Sequence, residues 1–358
     1  MPEASAILHA PADVGGNAYG LSRAERELGV RSDVAVFAPG PFGYGFDIDL
    51  HAGIDQPLWT RFTRRAAFLR QAIREYDVFH LNFGLTLLQV RQLGVVLDEL
   101  AWLKRAGKTV LVTYQGCDVR PKASCPCRHS ECFAGERYRR PAAERALQHA
   151  DRVFFLNPDL RHWLPGGTFV PYASVDPREI RPTPLPERSE LVVAHAPTDR
   201  EVKGTRHVEK AVAKLRREGH HVRLDLIEGV SRDVVLERVA QADVVVDQLL
   251  IGWYGAFAVE AMALGRPVLG FIREDEPDDN PFGVALPVVR TTAAALADDL
   301  LALAEDRLRR LELGATGRRF VEKHHDPRRI ARTVLEGLVE LPVATPEQER
   351  APAARAPR

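Results

Sequence analysis

The chain has 358 residues, too long for one ordinary core and suited to two domains of about 150 residues each. Hydrophobic residues make up 45% and charged residues 27%, the profile of a water-soluble globular protein, and no apolar run approaches the ~20 residues that span a bilayer. Lys+Arg and Asp+Glu both number 49, so no net field recruits nucleic acid or an anionic membrane.

The start, Met1-Pro2-Glu3-Ala4-Ser5, lacks the basic and apolar regions of a signal peptide. The expected location is the cytoplasm, compatible with peripheral work at the inner membrane face. The first apolar run is Ala6-Ile7-Leu8-His9. It is followed by Asp13-Val14-Gly15-Gly16-Asn17, a strand-to-helix turn with two adjacent glycines. This is not the G-x-G-x-x-G dinucleotide fingerprint, so a nicotinamide cofactor is disfavoured. Further runs are Val34–Phe37, Val78–Leu81, Val110–Thr113 and Val153–Leu156. Near-continuous apolar strands separated by helical patterns predict a parallel sheet covered on both faces.

The four cysteines, Cys117, Cys125, Cys127 and Cys132, fall within sixteen residues, with His129 among them. A disulfide framework would be spread through a small domain, so this is not one. Four thiolates, or three with His129, are a conceivable structural zinc site, but the spacing C-x7-C-x-C-x4-C contains no C-x2-C. Unliganded thiols and a redox pair are the alternatives.

Residues 172–190 hold Pro177, Pro182, Pro184 and Pro186 without apolar periodicity, which predicts an interdomain linker. The strand-helix scheme then repeats, with runs at Leu191–Ala194, Val222–Ile227, Val244–Val246 and Pro267–Phe271. Lys203 to Arg217 reads as one amphipathic helix with Val208, Val212 and Leu215 on a face. Residues 306–324 and 327–341 read as two more helices, the second opened by Pro327. The Pro- and Ala-rich tail at 342–358 is expected to be disordered. Two Rossmann-like domains with parallel sheets facing an interdomain cleft are the expected architecture, with a ligand outside the strand carboxyl ends.

Two junctions in the second half carry chemistry. Gly252-Trp253-Tyr254-Gly255-Ala256 opens a small-residue helix that Gly265 closes before Pro267-Val268. The open N–H groups at such a helix start favour a phosphate. Glu260, about one and a half turns further, suits a ribose diol, because a carboxylate accepts two hydroxyl bonds. The plainer alternative is a solvated Glu on a core helix. The segment His195 to Thr205 ends in Lys203-Gly204, a flexible cation beside another helix start, against the alternative of ordinary solvated charges.

Glu260-Ala261-Met262-Ala263, then Gly265 and Pro267-Val268, resembles the signature of the retaining glycosyltransferases of the GT-B fold, family 4 in particular. The family usually has a second Glu, contacting the donor sugar, where this chain has Gly252. Lys203-Gly204 resembles the family's Lys-Gly motif, whose Lys neutralises the donor diphosphate. The companion Arg is absent at Thr198, and Arg200 stands nearby as a substitute. Asp13 to Leu21 resembles its Gly-Gly loop. Asp77-Val78-Phe79-His80 resembles a strand ending in a cleft-facing His, and Gln115 stands where the family has His before Gly116. Asn157-Pro158 and Val170-Pro171 resemble the end of the first domain.

The resemblance implies an acceptor domain at 1–176, a linker at 177–189, a donor domain at 190–325 and a crossover helix at 326–341. It implies transfer of a sugar from a nucleotide-diphosphate donor, with retention and without a required metal, to a small-molecule, lipid-linked or glycan acceptor. Lys203, Arg200 and Glu260 would carry catalysis. Gly15, Gly16, Lys203, Tyr254, Gly255, Ala256 and Glu260 would bind the donor. Two other readings stay open: a sugar-nucleotide 2-epimerase, and a non-catalytic nucleotide-sugar-binding protein favoured by Gly252 and Gln115.

Overall fold

The computed structural model of the protein describes residues 5–89, 97–124, 131–273 and 280–338. Cys125, Cys127, His129, the side chain of Cys132 and the tail from 342 lie outside that description.

The first half runs β1 (Ala6–Ala10), α1 (Asn17–Glu27), β2 (Arg31–Val36), β3 (Ile48–Asp49), α2 (Leu58–Glu75), β4 (Val78–Asn82), α3 (Glu99–Arg105), β5 (Thr109–Tyr114), α4 (Glu131–His149), β6 (Arg152–Phe155) and β7 (Thr168–Phe169). Its sheet has the order β3-β2-β1-β4-β5-β6-β7 and pairs in parallel throughout. Every residue of β1 and β4 is buried, as apolar strands covered on both faces require.

The second half runs β8 (Leu191–His195), α5 (Arg200–Lys203), α6 (Thr205–Arg217), β9 (Val222–Leu226), α7 (Arg232–Ala240), β10 (Val244–Val246), α8 (Ala256–Ala263), β11 (Val268–Gly270), β12 (Val288–Arg290), α9 (Leu296–Glu305), α10 (Arg307–His324) and α11 (Pro327–Leu335). Its sheet has the order β12-β11-β10-β8-β9, again parallel. No described helix is long and apolar enough to cross a membrane.

The single helix expected from Lys203 is broken at Gly204, whose φ of 78° ends α5 and starts α6. Beyond the break, Val208, Val212 and Leu215 face the core as their spacing dictates. The edge strands β3, β7 and β12, of two or three residues each, are too short for any periodicity to show in the sequence.

The last helix does not stay with the second domain. Ile330, Ala331, Val334 and Leu335 of α11 share one buried cluster with Leu21 and Ala24 of α1. Arg152 at the start of β6 donates to the Val334 carbonyl at 3.3 Å. The chain order reverses between β1 and β4 in one sheet and between β8 and β10 in the other. Loops diverge at such points and leave a crevice at the strand carboxyl ends.

Candidate active site

A cavity of about 570 Å³ lies between the domains at those reversal points. From the first domain it is lined by Asp13, Gly15 and Tyr44, and deeper by Gln115 and Arg120. From the second it is lined by Lys203, Arg232, Gly255, Ala256 and Glu260.

The helix start at α8 is fixed by a carboxylate. Asp247, just past β10 and fully buried, accepts from the Gly255 N–H at 2.6 Å. Its other oxygen lies 3.5 Å from the Lys203 ammonium. Lys203 also donates to Gln248 Oε1 at 2.6 Å, and the Gln248 amide holds the Trp253 carbonyl. One side-chain pair thus ties the Lys203 junction to the loop before α8. The Gly255 N–H is spent on Asp247. The amides of Ala256 and Phe257 precede the first intrahelical bond, Ala258 N to Gly255 O at 3.1 Å, and remain for an anion.

Glu260 is 4% exposed and accepts from Arg232 Nε at 2.5 Å. Burial pushes its carboxyl upward, and Arg232 works against that shift. The Arg232 N–H donates to the Phe42 carbonyl at 3.0 Å, so the 40–45 loop of the first domain reaches across the cleft. Gly15, with φ of 66°, comes so close to α8 that a Cβ would lie 3.5 Å from Ala256 Cβ. The two-glycine turn and the α8 start therefore face one another.

The sequence-derived site residues divide accordingly. Lys203, Gly15, Gly255, Ala256 and Glu260 line the cavity together. Gly16 faces a smaller neighbouring cavity beside Tyr19 and Tyr44. Arg200 lies outside both: it is half exposed and held by Glu228 at 2.7 Å and Glu209 at 3.2 Å. Tyr254 is 1% exposed and packs in the core, its hydroxyl 3.0 Å from His325 Nε2. The resemblance places it among the donor-binding residues, whereas its ring packs against Phe320 of α10 and His325 before α11.

His80 is not cleft-facing either. It is 1% exposed, bonds Thr113 Oγ1 at 2.6 Å and packs at a tilt against His9, which pairs with Glu25 of α1. Gln115 and Cys117 do line the cavity. At Gly252, φ is 83°, and an added Cβ would lie 3.1 Å from Arg273 Nε. The position of the missing Glu is thus occupied by left-handed backbone under an arginine. Sequence reasoning missed Asp247, Arg232 and Tyr44. Asp247 had a signal, an acid at the end of a Val-Val-Val strand. Arg232 and Tyr44 had none.

No family profile and no curated protein matches the sequence. Solved structures do match its fold. HepE of Anabaena, in complex with UDP-glucose, shares 16% identity with a TM-score of 0.64 over 93% of this chain and 99% of that one. Sucrose-phosphate synthase of Thermosynechococcus elongatus shares 18% with a TM-score of 0.64 over 93% and 97%. WaaG, a glycosyltransferase of lipopolysaccharide biosynthesis, shares 15% with a TM-score of 0.57 over 93% and 100%. The architecture is the GT-B fold of glycosyltransferases, two parallel-sheet Rossmann-like domains about a cleft.

Proposed function

We propose that the protein transfers a hexosyl unit from a nucleotide-diphosphate sugar to an acceptor, with retention at the anomeric carbon. The carrying observation is the convergence of Lys203, the α8 start and Glu260 on one cavity wall, opposite Gly15. The diphosphate sits at the Ala256 and Phe257 amides beside Lys203, where charge grows as the glycosidic bond breaks. Glu260 takes the ribose hydroxyls, its carboxylate held by Arg232. Retention is supported by the likeness of Glu260 to Val268 to retaining enzymes. Lys203 and the helix start supply positive counter-charge, so the reading needs no metal. Arg200 has no part in it, because its carboxylate partners hold it outside the cavity. The work is assigned to the cytoplasm.

The test is a thermal-shift screen against UDP-, GDP-, ADP- and TDP-glucose, followed by NMR of the product anomer. One nucleotide series should raise the melting temperature by mass action. Absence of any shift or turnover across the panel removes the reading. An inverted product removes retention alone.

A further inference from the structure

Three buried side chains beneath α1 take no part in the transfer reading. His9 of β1 and His80 of β4 are register partners on adjacent parallel strands, so both imidazoles leave the same face of the sheet. Glu25 of α1 covers that face, its carboxylate 2.8 Å from His9 Nε2. None of the three is more than 1% exposed.

Each of them is short of a partner. Glu25 Oε2 takes His9 and the Ser32 hydroxyl, and His80 Nε2 takes Thr113 Oγ1. His9 Nδ1, His80 Nδ1 and Glu25 Oε1 are buried with no hydrogen-bond partner among the described residues. Each imidazole has two nitrogens to satisfy and finds one partner. Three such deficits side by side in a core call for a guest that meets all of them. One ligand atom from each side chain lies within 4.8 Å of the other two.

We propose that His9, Glu25 and His80 bind a structural zinc ion in the core of the first domain. The site is independent of the transfer reading and of the cysteines. Zinc takes imidazole nitrogen and carboxylate oxygen at about 2.0–2.2 Å in a tetrahedron, which sets ligand atoms about 3.3 Å apart. Small side-chain rotations bring the three atoms to that spacing, and a water completes the tetrahedron. Two imidazoles with a carboxylate suit zinc, whereas magnesium and calcium ask for oxygen alone. The charge also balances. Glu25 supplies one negative charge, and Asp13, whose pKa burial raises to about 6, supplies a second within electrostatic reach of His9. A bridging water would balance neither. The ion ties β1 and β4 to α1, and α1 starts at Asn17, directly after Gly15 and Gly16. It thereby holds in place the two-glycine turn that faces α8.

The experiment uses the full chain carrying Cys125→Ser, Cys127→Ser and Cys132→Ser, which removes competing thiolates. Expressed in zinc-supplemented medium and dialysed against EDTA, this parent should keep one zinc ion per chain by mass spectrometry, because an ion loaded as α1 docks is shielded from the chelator. Adding Glu25→Gln or His80→Gln should cut the zinc content to background while circular dichroism stays that of the parent. X-ray absorption at the zinc edge of the parent should show two imidazoles and no sulfur, and it decides the matter if either variant fails to fold. A zinc-free parent overturns the proposal, the bare atoms then being bridged by water. Zinc retained in full in either folded variant overturns it too, as does a spectrum with sulfur or without imidazole.

Discussion

Lys203 stands in two settings that a single substitution disturbs together. It faces the cavity, and it is the cation beside the buried Asp247 carboxylate at 3.5 Å. Lys203→Ala should slow donor turnover by the equivalent of about 2–4 kcal/mol, the usual loss for a group acting on developing charge. It should also destabilise the fold, because a buried carboxylate loses its counter-charge. Adding Asp247→Asn should recover the stability and leave turnover impaired, checked by urea unfolding beside kcat/KM. Full recovery of turnover in the double variant would assign Lys203 to structure alone. Glu260→Ala should weaken donor use by a similar amount, and wild-type turnover there would remove the ribose role. That both residues line the cavity was legible because each sits at a fixed offset from a strand-to-helix junction, a pattern local in sequence. Arg232 and Asp247 were not, since their partners lie 28 and 8 residues away and the pairing exists only after the sheet forms.

At the scale of elements, the long strands and amphipathic helices were readable from apolar runs and spacing. The break at Gly204 and the two- or three-residue edge strands were not, because so short a segment leaves no period to detect. Gly252 shows the reverse case, a departure visible in sequence whose cause needed coordinates. Restoring the absent acid by Gly252→Glu should cost about 1–2 kcal/mol for the left-handed backbone, before any contact with Arg273 is counted. Denaturant melts will show it, and an unchanged midpoint would mean the loop relaxes freely.

The loop joining α10 to α11 adds a pH effect. Burial lowers the His325 pKa from 6.5 to about 4, against the bond its ring makes to the Tyr172 carbonyl. The unfolded chain therefore takes up this proton first as pH falls. The neutral ring's contribution is intact above about 6.5 and is lost on the way down to about 4, ~3 kcal/mol in all. Asp13, with its raised pKa, works in the opposite sense, so the difference between wild type and His325→Gln is the quantity to measure. That difference should shrink as pH drops from 7 to 4.5. A constant difference would mean His325 does not titrate in this range.

At the scale of the molecule, contacts across the cleft include Arg232 with the Phe42 carbonyl, Gly15 against Ala256, and Arg273 with Asp159 at 3.7 Å. A ligand that bridges the two walls would draw them together. Saturating nucleotide sugar should lower the radius of gyration in small-angle scattering. An unchanged radius would count against closure.

The seat of α11 on α1 carries a further consequence, for synthesis. Leu21 and Ala24 complete their apolar cover with Ile330, Ala331, Val334 and Leu335, so the first domain emerges from the ribosome with one side open. Its sheet can form early, but the groove beside Leu21 and Ala24 stays wet until α11 has been made. A nascent chain halted before Pro327 should therefore present that groove to chaperones, and release of α11 should end the association.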